Sequence, residues 1–424
     1  MRTLIVAPSI PYPPTWGFGI RVYELARHLA RRHHVTLLAC AEAGQEEDIA
    51  AMAAVGVTVH PVITAGASAV AKRRGQLASL LSPASFQRRS AQTPAVQAAI
   101  DALLARDRFD LIQVESSQMG GFDFHGHPRV LLDEHNIEYE LLYRTYRAER
   151  SPARRLFNWM EYRKLRREER QCWNHAAGCI LTSEREERIV RAHAPGKPTA
   201  TVPNGVDVDT FRPAGVPVAP GRIVFTGLMR YRPNADAALY FTREILPLIH
   251  RERPDATFVV VGMGPPAEVE RLAGPRVIVT GEVPDVRPHL ASAAVCVVPL
   301  RIGSGTRLKV LEGLAMGKAM VSTTLGCEGI RARDREHLLV ADSPAAFARA
   351  VVRILAEPAL AASLGRRGRA LVEREYSWAQ AAQHLEAFHA AMLPISARRQ
   401  RAPGVPGAGC QHLPRHQMDS PDLP

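Results

Sequence analysis

Short runs of branched apolar residues recur along the chain, each bounded by polar or Gly/Pro-rich stretches. The first is 3–7 (TLIVA). After a Pro/Gly-rich loop, Val22, Leu25, Ala26 and Leu29 fall at helical spacing within 20–32. Further apolar runs follow at 35–40, 57–62, 111–114, 130–132, 179–181 and 201–203. A turn-like stretch at 204–207 introduces a second series, with strands predicted at 223–226, 257–261, 277–280, 295–299 and 320–323. Helical patterns lie between them at 235–250, 308–315 and 345–355. Strands rich in Val, Leu and Ile that alternate with helices indicate βαβ units and parallel sheets covered on both faces.

The chain has 424 residues, more than one ordinary core accommodates, so two α/β series mean two Rossmann-like domains facing each other across a cleft. The boundaries read as 1–204 and 205–375, then a helix within 376–395 and a Pro/Gly-rich tail at 396–424 without periodicity. In open parallel sheets ligands bind beyond the carboxyl ends of the strands, which makes the cleft the expected site.

Composition changes this picture in two places. The six cysteines show no CxxC spacing, and Cys40, Cys179 and Cys296 lie in apolar runs, as expected of buried reduced thiols in a cytoplasmic protein. No apolar run reaches the length of about 18 residues needed to cross a bilayer, and the Pro residues after 4–7 do not suit a secretory signal. Lys and Arg number 54 against 42 Asp and Glu, a formal net charge of +12. Such a balance fits nucleic acid, an anionic membrane face or a phosphate-bearing substrate. Half of the surplus lies in 144–170, where ten bases face four acids. The stretch 49–100 has five bases (Lys72, Arg73, Arg74, Arg88, Arg89) and no acid.

Four places carry possible chemistry. Gly17 and Gly19, between the first strand and the first helix, let backbone approach a ligand. The stretch 299–312 (PLRIGSGTRLKVLE) follows a buried strand and enters a helix. Gly303, Ser304, Gly305 and Thr306 offer amides at a helix start, Arg307 and Lys309 add cations suited to a diphosphate, and Glu312 can accept from a sugar diol. His135 ends a strand at the cleft edge. The 262–267 segment (GMGPPA) formally fits a dinucleotide fingerprint, with Glu282 20 residues past Gly262, but Pro265 and Pro266 lack the N–H groups a pyrophosphate would use. Asp207–Asp209 and His125–His127 have too few partners nearby for a metal site, and no serine sits in a G-x-S-x-G elbow.

Taken in order, these phrases resemble GT-B glycosyltransferases of glycosyltransferase family 4, over about residues 1–395. The resemblance rests on the Gly17–Gly19 loop, His135, 202–207 (VPNGVD), 225–227 (FTG), 260–264 (VVGMG), 280–285 (TGEVPD) and 309–318 (KVLEGLAMGK). The phrases 133–138 (DEHNIE) and 231–234 (YRPN) look like a branch of exopolysaccharide-associated sugar transferases of the PEP-CTERM/EpsH type.

The resemblance implies retaining transfer of a sugar from a nucleotide-diphosphate donor to a saccharide or lipid-linked acceptor, with no metal and no cofactor beyond the donor. The first domain would take the acceptor, the second the nucleotide sugar, and the 376–392 helix would return to the first domain. Gly17 and Gly19 would lie against diphosphate or acceptor, His135 would bond the transferred sugar, Glu312 would hold the ribose, and the backbone at Val283 would meet the base. Ser304 stands where the family's E-x7-E motif has its first glutamate, so the 303–306 loop would position the sugar through backbone and hydroxyl. Arg230 and Arg232 are the nearest stand-ins for a displaced Arg/Lys pair, with Arg307 and Lys309 as competitors.

A sugar-nucleotide epimerase or phosphorylase of the same shape is the alternative among enzymes. A nucleic-acid-binding protein is the alternative of another class. Aromatics at 6% argue against the latter, as does a 144–170 helix with Leu156, Trp159, Met160 and Arg163 spaced to cover a core. The basic 72–74 cluster instead suggests peripheral contact with an anionic membrane.

Overall fold

The computed structural model describes residues 1–64 and 69–394. Cys410 and the tail expected from residue 396 lie outside them. Among the described residues the first sheet contains β1 (Arg2–Ala7), β2 (His34–Ala41), β3 (Val57–Ile63), β4 (Leu111–Glu115), β5 (Val130–Glu134), β6 (Gly178–Leu181) and β7 (Thr199–Thr201). The second contains β8 (Arg222–Thr226), β9 (Thr257–Val261), β10 (Val277–Val279), β11 (Val295–Val298), β12 (Met320–Ser322) and β13 (Leu339–Val340). Their orders are β3-β2-β1-β4-β5-β6-β7 and β10-β9-β8-β11-β12-β13, with parallel pairing in both. This is the GT-B arrangement of two Rossmann-like sheets. The order reverses beside β1 and beside β8, which puts crevices at the ends of β1/β4 and β8/β11.

Alternation along β1 feeds both faces of its sheet. Leu4 and Val6 enter one apolar layer with Leu38, Ile112 and Leu132, while Ile5 and Ala7 enter the other with Leu25, Leu37 and Leu385. The Trp378–Met392 helix supplies Leu385 and Phe388 to that second layer, whereas Tyr376 stays in the core of the other sheet. Its start is fixed by a capping box between Ser377 and Gln380. The two stretches of chain that pass between the sheets touch each other. Val206 N–H donates to Tyr376 O at 2.8 Å, and a Cβ on Gly205 would lie 2.7 Å from Trp378 N.

Several boundaries differ from the pattern-based expectation. The strand expected at 201–203 is Thr199–Thr201, and β13 is only two residues long, too short to stand out. The helix expected over 235–250 begins at Arg232 and contains a π turn at Phe241–Ile245. Pro247, which has no N–H to donate, follows directly in the Leu246–His250 turn. Cys179 and Cys296 are buried, but Cys40 is only half-buried.

The largest correction concerns 144–170. It is not one helix but parts of two, Glu138–Ala148 and Pro152–His175, separated at 149–151 with Pro152 starting the second. Leu156 is 58% exposed and Trp159 38% exposed, with the Arg163 guanidinium over the Trp159 ring, so this face covers no core. The buried face instead carries Glu161, Leu165, Glu168, Glu169, Cys172 and Trp173. Its acids are acceptors for orphan backbone donors. Glu169 takes the N–H groups of Glu138 and Tyr139 at 2.8 and 2.7 Å, and Glu168 takes that of Ser85 at 2.8 Å.

Candidate active site

The helices that follow β1 and β11 start opposite each other across the cleft. A Cβ on Gly17, the first residue of the Gly17–Ala30 helix, would lie 3.9 Å from Leu308 Cδ1 at the start of Leu308–Ala315. Gly19 faces inward against the Trp16 ring, 3.0 Å from where its Cβ would be, so it serves packing of the turn. Phe18 between them stacks on His135, with ring centroids 4.7 Å apart.

His135 follows β5 directly. Its Nε2 is 2.7 Å from Glu115 Oε2 at the end of β4, and its Nδ1 is buried without a partner. Burial lowers its pKa to about 4, so the ring is neutral at physiological pH. The 303–306 loop leans on this strand end from the other domain. Gly305 has φ +77°, and a Cβ there would meet Asn136 Cβ at 2.9 Å and His135 O at 3.0 Å, so only glycine fits.

Two hydroxyls expected to face a sugar are engaged differently. Ser304 Oγ donates to Ile137 O at 3.2 Å and Thr306 Oγ1 to Thr182 O at 3.5 Å, both across to the first domain. Ile137 O, at the start of the Glu138–Ala148 helix, also accepts from the N–H groups of Glu140 and Leu141, so the Ser304 hydroxyl joins an existing turn. Arg307 folds back onto its own loop, donating to the carbonyls of Ser304 and Gly305, with Nη2 buried and unpartnered. Gly303 O accepts from Arg144 of the first domain.

Lys309 and Glu312 sit one helical turn apart on Leu308–Ala315. Lys309 Nζ lies 2.7 Å from Asn234 Oδ1 and 4.5 Å from the centre of the Phe225 ring. Burial, then Arg307, lower its pKa to about 7, against the pull of Glu312. Burial raises Glu312 to about 7, opposed by Lys309. Gly227 at the end of β8 makes room for the ammonium, since a Cβ there would be 2.6 Å from Nζ.

The other expected groups lie further out. Arg232 pairs with Glu149 of the first domain at 3.2 Å, and Arg230 is exposed with its stem along Gly264. Val283 follows β10, three strand positions from β11, or about 14 Å at usual strand spacing. Gly262 is a packing residue, because a Cβ there would come within 1.8 Å of Gly227 O. Glu115 and Gln113 were not singled out from the sequence, while Asn234 and Phe18 stood inside the 231–234 phrase and the Gly17–Gly19 loop without a role of their own. The one available signal was a polar residue inside an apolar central strand, in 111–115 (LIQVE).

Glu115, Asp133 and His135 each bring one ligand atom within 4.8 Å of the others. Asp133 is already held by Arg21 through Nε at 3.3 Å and Nη2 at 2.9 Å. A cation here would compete with that guanidinium, so the donor set does not fit a metal well.

Two facing Rossmann-like domains, with a neutral histidine on one and a lysine and a carboxylate on the other, give a GT-B fold. Comparison with known proteins specifies the class. Residues 17–210 match the model described as Glycosyltransferase Family 4, and residues 220–357 match Glycosyl transferases group 1. The two halves of the chain thus each match a glycosyltransferase model, the first that of Family 4 and the second that of group 1. Phosphatidyl-myo-inositol mannosyltransferases of Mycobacterium tuberculosis and Mycobacterium bovis are 30% identical over 224 residues, which is 49% of this chain and 58% of theirs. The chain therefore matches little more than half the length of these curated relatives. Among solved structures, sucrose-phosphate synthase from Thermosynechococcus elongatus aligns with a TM-score of 0.69 at 19% identity, over 92% of this chain and 99% of that one. HepE of Anabaena in complex with UDP aligns at 0.67 and 12% identity, over 92% and 100%. These two likenesses concern the fold.

Proposed function

We propose that the protein is a retaining transferase moving a sugar from a nucleoside-diphosphate sugar to a hydroxyl of a saccharide or lipid-linked acceptor. The observation that carries this reading is the Lys309–Glu312 pair on the helix entered from the Gly303–Arg307 loop, where Gly305 packs against His135 O and Leu308 lies next to Gly17 of the other domain. In this reading Lys309 and the loop amides stabilise the departing diphosphate, where preorganised donors contribute most. Glu312 accepts from the ribose diol, and His135 bonds the transferred sugar. The bond from the sugar's anomeric carbon to the phosphate oxygen breaks and the bond to the acceptor oxygen forms on the same face. The acceptor proton leaves with the diphosphate, and the step calls on no metal. The structure of HepE of Anabaena in complex with UDP-glucose supports a nucleotide-sugar donor, and the mannosyltransferase relatives support sugar transfer.

The finer reading is an exopolysaccharide-assembly transferase of the PEP-CTERM/EpsH type, supported by the phrases 133–138 and 231–234. We place it in the cytoplasm, peripheral on the inner face of the membrane. Among the described residues no helix is long and apolar enough to cross a membrane. Support for surface contact comes from the first domain. Leu77 and Leu81 are 66% and 94% exposed beside Lys72, Arg73 and Arg74. Arg167 Nη2 donates to Pro83 O at 2.8 Å, so this segment adjoins the helix that exposes Leu156 and Trp159 among arginines. Exposed apolar residues interleaved with bases suit a lipid surface better than a nucleic acid.

A thermal-shift series with UDP, GDP, ADP and their sugar conjugates tests the donor reading. One nucleotide family should raise Tm in wild type and leave a Lys309→Ala, Glu312→Ala double variant unmoved. Equal shifts in both proteins would remove the site from this role.

A further inference from the structure

Central strands of a covered parallel sheet are normally apolar, yet β4 and β5 bury Gln113, Glu115, Asp133 and Glu134 at 1% exposure or less. Unpaired, such groups would be strongly destabilising, so their partners identify what they do. Glu134 is accounted for on one side by Trp173 Nε1 at 2.8 Å and Ser117 N–H at 3.3 Å. Asp133 is held by Arg21, whose Nη1 also reaches Val202 O at 2.9 Å and Asn204 Oδ1 at 3.0 Å in the interdomain connection.

The remaining groups form a line with a fixed direction. Gln113 Nε2 is 2.7 Å from Glu115 Oε1 and 3.5 Å from Asp133 Oδ2. Both carboxylates accept, so the amide nitrogen faces them and the amide oxygen faces away. That oxygen is 2.8 Å from Nε2 of His389, on the helix returning from the second domain. An amide oxygen only accepts, so His389 donates from Nε2, which leaves its Nδ1 bare, as the absence of a partner there agrees. At the other end Glu115 Oε2 lies 2.7 Å from Nε2 of His135, and when ionised this carboxylate can only accept from it. His135 Nδ1 is then an unprotonated lone pair with no partner in the protein.

We propose that Glu115 and Gln113 are positioning residues that hold His135 as its Nε2–H tautomer. His389 locks their orientation, so that His135 presents Nδ1 as an acceptor to a substrate hydroxyl. This rests on the reading of the cleft as a transfer site, but the tautomer itself can be measured without any substrate. A flip of the Gln113 amide is prevented because it has a carboxylate on one side and a ring N–H donor on the other. The line also ties the site to the returning helix, and Arg21 ties it to the connection at Val202 and Asn204.

The test uses the full chain with nitrogen-labelled histidines and long-range proton–nitrogen correlation, with His135 assigned by its loss in His135→Gln. Burial raises Glu115 to about 7, so spectra are taken above neutrality, where it is ionised. Wild type should show the Nε2–H tautomer. In Glu115→Gln, Gln113 still donates to position 115, so the new amide there must turn its NH2 toward His135. The ring should then invert to Nδ1–H. Exchanging the pair (Gln113→Glu with Glu115→Gln) keeps the charge and turns the amide oxygen at position 115 back to the ring, which should restore Nε2–H. An Nδ1–H wild type, or a tautomer indifferent to Glu115→Gln, would overturn the proposal.

Turnover of UDP-glucose, by transfer or by hydrolysis, is the second readout. Glu115→Gln should lower kcat at least tenfold with little change in KM, and the exchanged pair should recover most of it. Inversion of the tautomer with unchanged kcat would overturn the role toward substrate. Absence of turnover by wild type with every nucleotide sugar would count against the transfer reading and leave the tautomer result standing.

Discussion

Lys309 and Glu312 are both drawn toward neutrality by burial, one down and one up to about 7. In the free protein Lys309 loses its charge as pH rises through about 7. A diphosphate favours its ammonium form, so binding raises that pKa and takes up a proton, and affinity should weaken as pH rises through neutrality. Glu312 works in the opposite sense, releasing a proton when sugar hydroxyls favour its carboxylate, so a Glu312→Gln background isolates the lysine. Titration calorimetry of UDP in buffers of different ionisation enthalpy should report proton uptake in Glu312→Gln and none in a Lys309→Met, Glu312→Gln variant. Uptake that persists without Lys309 would assign it elsewhere. Lys309 and Glu312 stood out in the sequence because they sit in a local phrase of glycine, base and acid, and His135 because it ends an apolar strand among polar residues. Asn234 did not, since its role depends on β8 and the Leu308–Ala315 helix meeting in space. Ser304 and Thr306 were read as sugar ligands from chemistry alone, while the geometry gives their hydroxyls to carbonyls of the other domain.

The central strands were read within a residue or two, because Val/Leu/Ile runs bounded by turns carry their own signal. The Pro152–His175 helix shows where that signal fails. Its apolar stripe of Leu156 and Trp159 faces outward, because Glu161, Glu168 and Glu169 are needed inside to accept from backbone donors of neighbouring segments. Acceptors for someone else's N–H groups leave no period in the sequence. Glu169→Ala should therefore destabilise more than Trp159→Ala, by about 2 kcal/mol or more against well under 1, as measured by urea unfolding. The reverse order would restore the apolar stripe as the packed face. The returning helix is anchored by a fully buried Leu385, so Leu385→Ala should cost about 3 kcal/mol. Hydrogen exchange should then quicken in Trp378–Met392 before the β8–β12 strands.

Across the molecule, charge divides between closure of the cleft and an open face. Glu328 of the second domain meets Arg144 at 2.9 Å and Arg185 at 3.2 Å, and Arg331 meets Glu184. Such partly exposed pairs contribute about 0.5 kcal/mol each and are screened by salt. Glu328→Gln should accordingly expand the ligand-free protein in small-angle scattering at low salt, and the difference from wild type should shrink at high salt. On the open face, Leu81→Ser with Trp159→Ser should reduce co-sedimentation with phosphatidylglycerol vesicles at least tenfold. Equal binding by wild type and the variant would show that this face is not the one that meets lipid. The two-domain plan and the surplus of base were visible in the sequence. Which bases pair across the cleft was not, because Arg144 and Glu328 come together only when both sheets are in place.

The central claim is that Lys309 and Glu312 hold the donor's nucleoside diphosphate in a cleft completed by His135. Its most direct test is turnover of the nucleotide sugar that gives the largest thermal shift, compared between wild type and the Lys309→Ala, Glu312→Ala double variant at matched folded fraction. A fall of kcat/KM by at least a thousandfold, or about 4 kcal/mol of lost transition-state stabilisation, is the expected result. Turnover by the double variant within a few fold of wild type would contradict it.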